Sequence, residues 1–160
     1  MKLNTGQSAS ENARALLPKM ARKYFDAGRK FLGGKRPPEE LHDFRMETKR
    51  FRYTMELFRP VYGPNLDRYL KALHELQSAL GKVSDYQVIE GMVARDRNLE
   101  RHLQRGLKGK LKNLRQRWRA FDSDGELKRW RTYLAGGHSR PGTKRSKAAA
   151  AKKSATRARG

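Results

Sequence analysis

Leu103, Leu107, Leu111, Leu114, Trp118 and Phe121 follow one another at steps of three or four residues. That period places all six on one side of a helix, and no β-strand can present them on one face. Arg101, Arg105, Lys108, Lys112, Arg115 and Arg119 fall on the opposite side. A segment from about Leu99 to Phe121 is therefore a helix with one buried face and one cationic face. Gly106 and Gly109 lie inside it, each costing about 1 kcal/mol relative to alanine.

The same period runs through the rest of the chain. Ser10 is placed to cap a first helix reaching about Leu32, with Leu16, Leu17, Met20, Tyr24 and Phe31 on its apolar side. Pro18 falls inside this stretch and offers a second start, since proline suits a first turn. Gly33 and Gly34 end it, and Pro37 and Pro38 open a second helix running to about Arg59. The turn Tyr62-Gly63-Pro64-Asn65 leads to a third helix, about Asn65 to Leu80, closed by Gly81. Ser84 and Asp85 then cap a fourth, with Val88, Ile89, Met92 and Val93. After Asp122-Ser123-Asp124, a short last helix carries Leu127, Trp130, Tyr133 and Leu134. Asp122 and Asp124 read as caps rather than cation ligands. No segment alternates with period two, so the expected fold is an all-α antiparallel helical bundle.

Charge divides the chain into two parts. Lys and Arg number 38 among 160 residues against 16 acids, a net +22. Residues 138–160 hold eight of the cations, no acid and no large apolar side chain. Such a segment cannot bury enough surface to offset its ordering entropy, so a disordered tail is expected there. Residues 1–137 keep 30 cations against 16 acids, or +14, so the helical body is basic in its own right. An excess of this size points to a polyanionic partner. No apolar run approaches the roughly 20 residues of a membrane span, and the N-terminus has no apolar stretch of a signal peptide. A cytoplasmic protein is expected. Without cysteine the chain has neither disulfides nor thiolate chemistry.

Histidines at 42, 74, 102 and 138 show no metal-ligand spacing, and no phosphate loop or activated nucleophile stands out. The expectation is a protein without catalytic residues, metal or cofactor. Instead, one helix sorts its residues into two faces. On Leu41 to Pro60, Phe44, Thr48, Phe51, Met55 and Phe58 form one side. His42, Arg45, Lys49, Arg52 and Glu56 form a narrow row on the other. Charge alone allows this row to be an ordinary solvated face. Met46 and Tyr53 beside it point instead to a face partly covered by neighbouring helices, where a held cation grips an anion more strongly. Glu56 reads as orienting Lys49 or Arg52. The cationic back of the 99–121 helix reads as a solvated face.

Two blocks of residues carry a resemblance. The first, LHDFRMETKRFRYTMELFRPVYG, has the pattern His-x-x-Arg-x-x-x-Lys-Arg-x-Arg-Tyr-x-x-Glu. The second, LKALHELQSALGKVSDYQVI, carries Leu-Gln-x-x-Leu-Gly followed by Asp. Together they resemble the CHAD family, a histidine-containing helical domain. The resemblance implies binding of inorganic polyphosphate through basic residues lining a groove, without catalysis, at polyphosphate granules in the cytoplasm. It makes His42, Arg45, Lys49, Arg50, Arg52, His74 and Lys82 the polyphosphate-facing set, with Arg50 nearer the rim. Tyr53 and Gln77 become packing or orienting positions, and Asp85 a helix cap. A full CHAD domain pairs two similar bundles about a pseudo-twofold axis. This chain has room for one, more like the second half, and a homodimer would rebuild the pair. The alternative is a nucleoid-type protein binding DNA or RNA without sequence preference, largely through the basic tail.

Overall fold

The computed structural model describes residues 3–34, 38–92 and 97–136. The expected tail, Gly137 and Val93 lie outside these residues. Six α-helices are described: α1 (Ala9–Gly33), α2 (Pro38–Leu57), the short α3 (Arg59–Tyr62), α4 (Asp67–Met92), α5 (Arg97–Phe121) and α6 (Glu126–Leu134). A 3₁₀ turn, Gly63–Leu66, joins α3 to α4. Among the described residues there is no strand. The long helices pack in the order α1, α2, α4, α5, and α6 lies against α1.

The start of α1 differs from both expected positions. Ser8 is the cap: its hydroxyl accepts from the Glu11 amide at 3.2 Å, and the Ser8 amide donates to the Glu11 carboxylate at 2.8 Å. Reciprocal bonds of this kind satisfy two otherwise unpartnered amides. The signal was present as Ser-x-x-Glu, two residues earlier than the Ser10 reading. Pro18 stays inside α1 because Ala13, Leu17 and Ala21 are fully buried on either side of it. Their burial outweighs the lost backbone bond. Ser8→Ala should lower the unfolding free energy by about 1 kcal/mol, checked by thermal denaturation of the two proteins.

Gly81 does not end a helix. α4 runs through it, 26 residues from Asp67 to Met92, and Ser84 and Asp85 are interior rather than caps. Leu76, Ala79, Leu80 and Val83 are all buried, so one apolar face runs unbroken past the glycine. That continuity offsets glycine's cost of about 1 kcal/mol. Likewise Asp122 and Asp124 do not cap α6, whose cap is Gly125 at φ 79° with no side-chain bond. Asp122 instead accepts both Arg29 Nε at 2.8 Å and a terminal nitrogen at 2.7 Å, tying the end of α5 to α1.

The core is largely aromatic. The expected α2 face, Phe44, Thr48, Phe51, Met55 and Phe58, is buried throughout. Thr48 satisfies its hydroxyl on the Phe44 carbonyl at 2.8 Å. From α5, Trp118 reaches Tyr24, Phe25 and Phe44, with ring centroids 5.6–6.0 Å apart. Phe121 stacks on Phe25 at 4.8 Å, closing α5 onto α1. Gly28 permits this approach: a Cβ there would stand 2.0 Å from the Trp118 ring. Leu107 and Leu111 are only partly buried, at the edge of this cluster.

Candidate anion-binding groove

α2 and α4 run antiparallel, and two hydrogen bonds set their register. Arg45 donates a terminal guanidinium hydrogen to Ser84 Oγ at 2.8 Å. Arg52 donates from Nε to Gln77 Oε1 at 2.9 Å. Seven residues forward on α2 correspond to seven back on α4. Lys49, midway along this line, is half-buried. Arg45, Lys49 and Arg52 thus stand about one helical turn apart, roughly 5 Å each, along the α2–α4 seam.

Two of these cations are held, and their partners are the informative part. Arg45 is oriented by a neutral hydroxyl, and its Nε is buried without a hydrogen bond. Among the described residues no carboxylate pairs with it. Arg52 is 17% exposed and oriented by the neutral Gln77 amide; its other side donates to Glu56 at 2.7 Å. Its guanidinium also lies 4.5 Å from the centre of the Tyr53 ring.

Two arginines elsewhere are neutralised by aspartates. Arg59 makes a two-pronged bond to Asp67, 2.9 Å on each side. Asp122 grips Arg29 in the same way. These bonds hold both guanidinium groups above their ordinary pKa. Charge-assisted forks of that kind occupy the donors an anion would use. In the α2–α4 seam, neutral acceptors fix both guanidinium planes; Arg52 is also paired with Glu56, and Arg45 meets no described carboxylate.

Of the other residues implied by the resemblance, His42 is exposed on α2, and His74 and Lys82 are exposed on α4. Arg50 does not join the seam. It turns to Glu47, an ion pair at 2.7 Å, and lines a hollow with Lys19 and Lys23 of α1. Gln77 is an orienting residue, and Glu56 pairs with Arg52. Met46 and Tyr53 are not covered by neighbouring helices: they are 45% and 52% exposed. The covered residues are the arginines themselves. Ser84 was missed as a site residue, because nothing local marks a serine as the partner of a cation 39 residues away.

The back of α5 is exposed along Arg105, Lys108, Lys112, Arg115 and Arg119, as an ordinary solvated face. Among the described residues, no group of three or more His, Asp or Glu side chains is placed to hold a metal ion. No described helix is long and apolar enough to cross a membrane.

Fold and seam together define an all-α protein with a row of cations along the seam between two antiparallel helices. Residues 2–94 match the CHAD domain family model, more than half of the 160 residues. The chain belongs to the CHAD family. Neither a curated protein nor a solved structure matches it significantly.

Proposed function

We propose that this protein binds inorganic polyphosphate, without catalysis, along the groove between α2 and α4. The observation that carries the reading is the way Arg45 is held: fixed by Ser84, partly desolvated, and matched to no described carboxylate. Family membership adds to it, because the CHAD domain is associated with polyphosphate binding. A row of cations one turn apart suits a linear polyanion better than a compact one. Because the arginines are already oriented, less ordering entropy is lost on binding. Neutralised phosphates release their condensed counterions, so affinity falls steeply with salt.

The deciding experiment is a competition titration of the full chain at physiological salt. Long-chain polyphosphate and duplex DNA compete at equal phosphate concentration. Preference for polyphosphate is the expected result. Equal or weaker binding than to DNA replaces this reading with that of a nonspecific nucleic-acid binder, for which the exposed α5 row and the basic residues after His138 supply the charge.

The groove is open on one side, and Met46, Tyr53 and Leu57 form an exposed apolar strip beside the row. In this reading a second copy covers the strip and brings a second row to the same polyanion. Sedimentation in the presence of polyphosphate should then give a dimer; a monomer across micromolar concentrations removes this part of the reading.

A further inference from the structure

α4 carries a glycine that its own packing does not require. A Cβ on Gly28 would collide with Trp118, and one on Gly106 would stand 2.4 Å from Tyr86. A Cβ on Gly81 would meet no atom within 4 Å. Its φ lies outside the left-handed region, so a side chain would bring no backbone strain either. Glycine is the poorest helix former apart from proline, yet it stands in the middle of the helix that forms one wall of the groove.

The register places this gap. Stepping back from Ser84 toward Gln77 on α4 while stepping from Arg45 toward Arg52 on α2 brings Lys49 across from Leu80 and Gly81. Leu80 is fully buried in the core. Gly81 is half-buried and therefore forms the groove side of that pair. One turn away is the Arg45 guanidinium, whose Nε is buried without a hydrogen-bond partner.

We propose that Gly81 is the specificity-determining position of the groove. This inference rests on the polyphosphate reading above and adds what selects that ligand. The missing side chain leaves room for a bare chain of phosphates to lie against α4, within reach of Arg45, Lys49 and Arg52 at once. Nucleic acid carries a sugar and a base on every phosphate and is held at the rim, where only long-range attraction remains.

The test uses the full chain with Gly81→Leu, Gly81→Ala and the control Gly109→Leu. Gly109 has equally open space but lies on the exposed side of α5. Each variant is titrated with long-chain polyphosphate and, separately, with duplex DNA at the same salt, and its helix content is measured. Gly81→Leu should weaken polyphosphate binding about tenfold, the loss of roughly one charge-assisted contact, and leave DNA binding unchanged. Gly81→Ala should melt at a higher temperature than the natural chain and still bind polyphosphate more weakly. Gly109→Leu should change neither ligand. Unchanged polyphosphate affinity in both Gly81 variants, or an equal fall for both ligands, overturns the proposal. If the natural chain itself shows no preference for polyphosphate, the underlying functional reading fails instead, and the selectivity ascribed to Gly81 falls with it.

Discussion

Replacing Arg45, Lys49 and Arg52 together by alanine should abolish tight polyphosphate binding and leave the helices in place. Charge-assisted hydrogen bonds contribute about 1.5–3 kcal/mol each. Losing three should therefore weaken binding by at least about 100-fold even after partial compensation by neighbouring cations. The salt dependence should change as well. With roughly 0.7 counterions released per phosphate on a single-stranded polyanion, the slope of log K against log salt should become shallower by about 2. The fold should survive, because the α2 core face from Phe44 to Phe58 is untouched. Removing Arg52 also frees Glu56, an exposed residue that water can solvate. Isothermal titration at several salt concentrations, with circular dichroism on the same samples, checks both halves. Undiminished affinity in a folded triple variant would move the site off the seam, the back of α5 being the first place to look.

Trp118→Ala should have the largest effect on stability. Trp118 is 5% exposed and touches rings from α1, α2 and α5 itself. Its truncation leaves a cavity at the centre of the bundle, and the surrounding rings cannot collapse fully into it. The expected loss is about 3–5 kcal/mol, a large part of the roughly 5–15 kcal/mol that holds an ordinary domain together. Chemical denaturation should show a lower midpoint with a similar slope. In the natural protein Gly28→Ala would be destabilising, because it would drive a methyl group into the tryptophan ring. In the Trp118→Ala background the same substitution should become tolerable, a coupling that a double-mutant cycle would read directly.

These two predictions draw on different depths of information. Trp118 was legible as a core residue from its place in the stripe Leu103 to Phe121, because burial at helical period leaves a local trace. Its partner Gly28 was not, since nothing in the surrounding sequence reveals which side chain will cross that position. The cation row on α2 was legible from spacing, and so was the involvement of Glu56. That Arg50 turns away to Glu47, on a different side of α2, was only half legible, as a position near the rim. Gly81, drawn as a helix end, and Pro18, offered as a second helix start, share one cause. At Gly81 and Pro18 the local signal is for a break, and continuous burial on either side overrides it. At Ser8 the signal was local and simply two residues upstream of the expected cap.

The sequence by itself determined that this chain is helical, which face of each helix is buried, and that one helix holds a row of cations opposite its core. These follow from the period of apolar residues and from the count of charges, both local properties. Only the tertiary structure decided which arginines meet a carboxylate and which are oriented by neutral partners. Whether an arginine meets aspartate, as Arg29 does, or serine, as Arg45 does, depends on the register between helices far apart in the chain. The same register sets Gly81, an apparent helix stop, beside the row of cations on α2. Register is set by how the apolar faces of several helices interlock at once, and that is a property of the assembled core rather than of any one segment.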